Sequence, residues 1–204
     1  MYRPHRPFRS GQSGGFRRGH FNGARNFPRR IKTLSSSDPT LFIKKATPGI
    51  YADEPLTHSS FSDFDIPQIL KDNIAAKGYT VPTPIQDKTI EPMLAGRDLI
   101  GIANTGTGKT AAFLIPIINK IFLDRNKRAI IITPTRELAV QIHEELKSFT
   151  TNIKIYSALV IGGTNMRRQI QALRTNPHVV IGTPGRIKDV ITQRVLNLDT
   201  FDTV

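Results

Sequence analysis

No cysteine occurs among the 204 residues, so disulfides, thiol nucleophiles and cysteine-ligated zinc are excluded. Histidine is scarce: His5, His20, His58, His143 and His178 are scattered without metal-ligand spacing and read as ordinary surface or packing residues. Long apolar runs are missing as well. The longest, Ala111 to Ile118, is interrupted by Pro116 and falls far short of the ~20 residues a membrane helix needs. The arginines near the N-terminus are not followed by an apolar segment, so no secretory signal is expected. Together these absences point to a soluble protein of the reducing cytoplasm. Acidic residues are absent from positions 1–32, which hold nine Lys or Arg. The formal charge is +13 overall, and the remaining residues carry 20 basic against 16 acidic groups, a net of only +4.

That basic stretch belongs to a segment, residues 1–37, rich in Arg, Gly, Ser and Asn, with Phe8, Phe16, Phe21 and Phe27 set singly among the arginines. It has no apolar period to drive folding and reads as disordered. Guanidinium groups can neutralise phosphates while phenyl rings stack on unpaired bases, which suits single-stranded RNA; a non-specific basic tail is the alternative. Residues 38–60 read as a connector, in which Leu41-Phe42-Ile43 could dock as a short anchored element.

From Phe61 onward the pattern is regular. Ile66 to Ala76 has helical spacing and Gly78 stops it; Pro82 and Pro84 make an extended turn before a short helix from Ile85. Arg97 to Ala103 has strand character, and Ala111 to Leu123 is apolar almost all round, as a buried helix is. Strands over 129–133, 153–160 and 178–182 then alternate with helices over 135–149, 165–173 and 185–193. Such alternation predicts a mostly parallel sheet covered by helices on both faces, with the loops at the strand C-terminal ends forming the ligand surface.

Ala103-Asn104-Thr105-Gly106-Thr107-Gly108-Lys109-Thr110 lies between the first expected strand and the apolar helix. This is the layout of a phosphate-binding loop, in which backbone N–H groups and the helix dipole surround a polyphosphate. Lys109 reaches the β- and γ-phosphates and the Thr110 hydroxyl holds Mg²⁺. Ala103 replaces the usual first glycine. The close approach to phosphate is expected at Gly106 and Gly108 instead. Three further segments stand at strand ends: Pro134-Thr135-Arg136, Gly162-Gly163, and Thr183-Pro184-Gly185-Arg186. Taken singly each is an ordinary turn. In series along one edge they would make a track of contacts to a nucleic-acid backbone.

In this order the motifs resemble the first RecA-like domain of a DEAD-box RNA helicase, over about residues 61–204. The loop at 103–110 corresponds to motif I, Pro134 to Gln141 to motif Ia, Gly162-Gly163 to the GG motif, and Thr183 to Arg186 to motif Ib. Gly78 to Gln86 matches the Q motif, with Phe61 as the isolated upstream aromatic. The resemblance implies a RecA-like P-loop α/β fold, with ATP and Mg²⁺ as cofactors and RNA as partner. It assigns Gln86 to the adenine edge, Tyr79 against the base and Phe61 as a brace; plain core aromatics are the alternative for Tyr79 and Phe61, an even one for Phe61. Lys109 and Thr110 become the catalytic residues, and Arg136, Gly163, Thr183 and Arg186 grip RNA. Asn104 stands where glutamine is commonest in the family and is shorter by one methylene. The resemblance also implies a strand ending in Asp-Glu-Ala-Asp and a second RecA-like domain in cis; neither lies within the 204 residues, so the chain alone is expected to be marginally folded and inactive. Two rivals remain: a non-catalytic RNA-binding protein working through its Arg/Phe tail, and a small-molecule P-loop kinase, for which no acceptor lid is apparent.

Overall fold

A computed structural model describes residues 56–204. The expectations for the tail at 1–37 and for the connector up to residue 55, Leu41-Phe42-Ile43 included, lie outside the described residues. Six α-helices and three strands follow in the order α1 (Gln68–Ala76), α2 (Pro84–Leu94), α3 (Lys109–Leu123), β1 (Ala129–Ile132), α4 (Arg136–Phe149), β2 (Ser157–Val160), α5 (Met166–Arg174), β3 (Val179–Gly182) and α6 (Pro184–Thr192). Single 3₁₀ turns lie at Phe61–Asp63 and Leu198–Thr200.

The helix ends follow from local chemistry. Gly78, at φ +83°, closes α1 by donating its N–H to the Ala75 carbonyl, a left-handed position that costs glycine least. Thr83 caps α2, Pro84 occupies its first position, and the Gln86 side chain reaches back to the Thr83 N–H at 2.8 Å. This is a capping box.

The sheet is wholly parallel in the order β1-β3-β2, and alternate residues face opposite sides. Ala129, Val179 and Ile181 pack with Leu114, Ile115 and Ile118 of α3, Ile142, Leu146 and Phe149 of α4, and Leu70 and Ile74 of α1. Ile130, Ala158, Val160 and Val180 pack with Leu173 of α5 and with Ile187 and Val190 of α6. Both faces are therefore covered, as the strand and helix alternation predicts. The register aligns Ile132 with Gly182 and Gly182 with Val160, so all three strands end level on one edge.

Two expected strands differ. Residues 153–156 lie outside the strand, with Ile153 N–H on the Thr150 carbonyl and Ile155 N–H on the Ile153 carbonyl; the ladder begins only where the Tyr156 carbonyl accepts from His178 and Val179. Residues 97–103 are not a strand. A strand needs a hydrogen-bonding neighbour, and the outer edge of β1 is met by Thr203 instead, through an isolated parallel bridge and an Ile130 N–H to Thr203 carbonyl bond of 2.9 Å. No chain among the described residues pairs with 97–103, and Ile100 and Ile102 are 93% and 91% exposed.

Residues 57–60, expected as the end of a connector, are bound to the helices. Thr57 and His58 donate their N–H groups to Asp87 of α2 at 2.8 and 2.9 Å, and Ser60 caps the 3₁₀ turn that seats Phe61.

Candidate nucleotide and nucleic-acid site

The loop at 103–108 leads into α3, whose first intrahelical bond runs from Ala112 N–H to the Gly108 carbonyl. The N–H groups of Lys109, Thr110 and Ala111 are therefore not used inside the helix, and they stand at the positive end of its dipole. Gly106 and Gly108 hold φ of +79° and +87°, a backbone region that favours glycine. The reasons differ between them. A Cβ on Gly106 would meet nothing, so its backbone angle is what selects glycine. A Cβ on Gly108 would strike the Gln86 carboxamide and lie 3.2 Å from Thr83 Oγ1.

The Q motif holds this loop from behind. Thr83 Oγ1 donates to the Thr107 carbonyl at 2.8 Å, and Gln86 Nε2 donates to the Gly108 carbonyl at 3.1 Å. Gln86 is fully buried, so its carboxamide is committed at both ends, to the cap of α2 and to the loop. Within the loop Thr107 Oγ1 donates to the Asn104 carbonyl, while Thr105 and Asn104 are exposed. Lys109 Nζ lies on the carbonyls of Ala103, at 2.6 Å, and Asn104. Thr110 occupies the first turn of α3 and is half-buried.

Phe61 and Tyr79 come together, lining one groove of about 500 Å³ with Lys71, Asp72 and Thr80. Phe61 is buried, and its ring meets Tyr79 edge-on at 6.1 Å. Tyr79 also packs edge-on against Phe149 at 5.7 Å and donates its hydroxyl to Glu145 at 3.1 Å. Burial, reinforced by the Glu145 carboxylate, pushes the phenol pKa above its ordinary value. Gln86 is not among the residues lining this groove.

The level strand ends bring the other three segments side by side. Thr135 caps α4, accepting the Leu138 N–H at 3.2 Å, and Pro134 and Arg136 are exposed. The Arg136 guanidinium lies over Gly162 and Gly163: a Cβ on Gly163 would strike its Nη1 and come within 3.2 Å of Cζ. Among the described residues Arg136 has neither an ion pair nor a side-chain hydrogen bond. Thr183 starts α6 with its hydroxyl free of any cap bond, Pro184 follows at the first helical position, and the space beside Gly185 is open. Arg186 is turned inward, its side chain 15% exposed, with Nη1 at 3.5 Å from the Thr164 carbonyl and Nε at 3.6 Å from Asp189.

Arg167 and Arg168 went unnoticed in the sequence. Both are exposed in the first turn of α5, which holds no acid, beneath the cap supplied by Asn165. Their signal was available: a helix dipole disfavours cations in the first turn unless an anion stands beyond it.

His58 is likewise not an ordinary surface histidine. Nδ1 lies 2.7 Å from Asp87 and Nε2 3.1 Å from Glu91, and the ring stacks on Phe64 at 4.2 Å. With a carboxylate at each nitrogen the imidazolium is favoured, and the Asp87 hydrogen bond chiefly raises its pKa. Burial pushes the Asp87 carboxyl up, but the Thr57 and His58 N–H groups and the His58 ring outweigh it and hold it low. The histidine contribution to stability is fully present below an unfolded pKa of about 6.5 and is lost as pH rises through the raised folded value. Melting temperature measured from pH 6 to 9 should therefore decline, and His58→Asn should flatten that decline; parallel slopes would refute the clamp.

Among the described residues no helix is long and apolar enough to cross a membrane, and no three His, Asp or Glu side chains are grouped to hold a metal.

Residues 83–204 match the family model described as DEAD/DEAH box helicase. The ATP-dependent RNA helicase CshA of Listeria monocytogenes is 46% identical over 147 residues, which cover 72% of this chain and 28% of the relative. A DEAD box protein from the hyperthermophile Methanococcus jannaschii has a similar structure, with a TM-score of 0.67 at 39% identity, covering 71% of this chain and 40% of that one. A hypothetical ATP-dependent RNA helicase from Sulfolobus tokodaii gives 0.62 at 33% identity, over 67% and 40%. The chain thus spans less than a third of the length of that curated relative.

Proposed function

Because the chain belongs to the DEAD/DEAH box helicase family and has its RecA-like fold, we propose that it is the ATP-binding and RNA-gripping portion of an ATP-dependent RNA helicase. The observation that carries this reading is the shared register of the strand ends. Three helices start side by side there, each with arginine in its first turn: Arg136, Arg167 with Arg168, and Arg186. Cations gathered where helix dipoles repel them suit a polyanion with closely spaced charges.

Bound ATP with Mg²⁺ supplies a phosphoanhydride whose terminal phosphoryl group can be transferred to water. The free N–H groups of Lys109, Thr110 and Ala111 bind the phosphates, and Lys109 leaves the Ala103 and Asn104 carbonyls to neutralise the β- and γ-oxygens. Thr110 offers one oxygen to Mg²⁺. Any further ligands would come from phosphate, water or the rest of the protein. Tyr79 lies against the base with Phe61 bracing it, while Gln86 acts through the loop it holds and senses adenine only if its carboxamide turns from Thr83. Water activation and the second RecA-like domain belong to the rest of the protein in this reading. Backbone contacts from Arg136, Gly163, Thr183 and Arg186 take RNA by shape rather than sequence. A cysteine-free chain of this kind suits the cytoplasm.

Removing residues 1–37 tests this against the tail-only alternative. RNA affinity of the deleted full-length protein, measured with and without a non-hydrolysable ATP analogue, should keep a nucleotide-dependent component. Loss of nearly all affinity in both states would favour the non-catalytic RNA-binding reading.

A further inference from the structure

Between β2 and α5 the chain turns through Ile161, Gly162, Gly163 and Thr164, and this turn is the meeting place of two arginines from other elements. Arg136 of α4 covers Gly163, and Arg186 of α6 points its Nη1 at the Thr164 carbonyl. What fixes the turn is one buried side chain. Gln169, on the inner face of α5 and 7% exposed, donates Nε2 to the Ile161 carbonyl at 2.9 Å and to Thr164 Oγ1. Thr164 Oγ1 also reaches the Ile161 carbonyl at 3.2 Å. A carbonyl only accepts, so the amide nitrogen must face Ile161.

The other end of the carboxamide has no such use. Gln169 Oε1 is the one buried side-chain polar atom without a partner among the described residues. A buried acceptor without a donor is unfavourable, and an apolar side chain of the same length would avoid it while filling the same space. Packing therefore does not account for glutamine here. The hydrogen bonds that span the turn do.

We propose that Gln169 is a positioning residue for nucleic-acid binding, holding the 161–164 turn so that Arg136 and Arg186 are presented together to one stretch of backbone. The proposal rests on the RNA-binding reading above. Gln169 touches no ligand itself; it acts through the seat of the two guanidinium groups.

The test uses the full-length protein and a single-stranded oligoribonucleotide of mixed sequence. Gln169→Met keeps length and apolar bulk while removing the donor. The expected result is about tenfold weaker RNA binding, the loss of one charge-assisted contact, with affinity for a fluorescent ATP analogue unchanged. The slope of log affinity against log salt should shrink by about 0.7, one phosphate contact on a single strand. A purely structural role would leave that slope alone. In an Arg136→Ala, Arg186→Ala background the Gln169→Met effect should largely vanish, because both groups it positions are gone. Gly163→Ala provides a second route outside the buried core: at φ +77° its Cβ strains the turn and strikes the Arg136 guanidinium, and it should reproduce the same change in salt slope.

Unchanged RNA affinity in Gln169→Met, additivity with the paired Arg136→Ala and Arg186→Ala change, or equal loss of RNA and nucleotide binding would each overturn the proposal. If Gln169→Met does not fold, a normal salt slope in Gly163→Ala overturns it instead. If Arg136→Ala itself leaves RNA binding unchanged, the RNA-gripping reading fails, and that outcome is distinct from failure of Gln169 alone.

Discussion

Lys109→Ala in the full-length protein is expected to lower RNA-stimulated ATP hydrolysis by about 10²–10³-fold or more, the cost of removing one preorganised charge from a developing phosphoryl transition state. The structure explains why the loss should be confined to chemistry and phosphate binding. Lys109 contributes nothing to the core; its ammonium group contacts only the Ala103 and Asn104 carbonyls at the mouth of the loop. The loop itself is held by Thr83 and Gln86 acting on the Thr107 and Gly108 carbonyls, so the variant should keep its melting temperature within a few degrees. Steady-state hydrolysis and a thermal melt, run together, check both halves. Turnover at the normal rate would remove the phosphate assignment from Lys109, and collapse of the fold would show that the loop depends on the lysine rather than on the Q motif.

The contrast between Lys109 and Gln86 shows where the sequence was legible. Features that depend on a few neighbours in the chain were read directly: the stop of the first helix at Gly78, the short helix that follows Pro84, and the helix starts near Thr135 and Thr183. Strand alternation also sufficed to place Arg136, Gly163 and Arg186 on one edge, because parallel strands of equal length in register must end level. Roles that depend on contacts across the fold were not legible. His58 meets carboxylates 29 and 33 residues away. Arg186 is largely buried beside Thr164 and Asp189 rather than projecting into solvent. Gln86, which the family resemblance assigns to the adenine edge, meets partners across the fold that its residue type does not reveal: both ends of its carboxamide are hydrogen-bonded within the protein. Composition cannot reveal such pairings, since they are set by how α2, α3 and α6 pack and not by any local period.

The 204-residue chain in isolation is expected to associate, with a melting transition that depends on concentration. Sequence pattern made 97–103 a strand, and its residues keep strand character, but the described residues give it no partner. Ile100 and Ile102 stand almost fully in water, beside backbone N–H and C=O groups that have no ladder to join. An extended apolar segment of this kind pairs readily with a second copy, because that contact satisfies the backbone and removes the isoleucines from water together. Burying two such side chains is worth about 1.5–3 kcal/mol each, enough to shift association by an order of magnitude or more. Sedimentation velocity at increasing concentration should show dimers and larger species, and Ile100→Lys with Ile102→Lys should suppress them. The double variant tests the segment itself: α3 and β1 bury their own apolar residues without help from 100 and 102, so it should fold as well as the parent. A monomeric parent chain with a cooperative, concentration-independent melt would mean that 97–103 is covered from within, and that the exposed isoleucines do not govern its behaviour in solution.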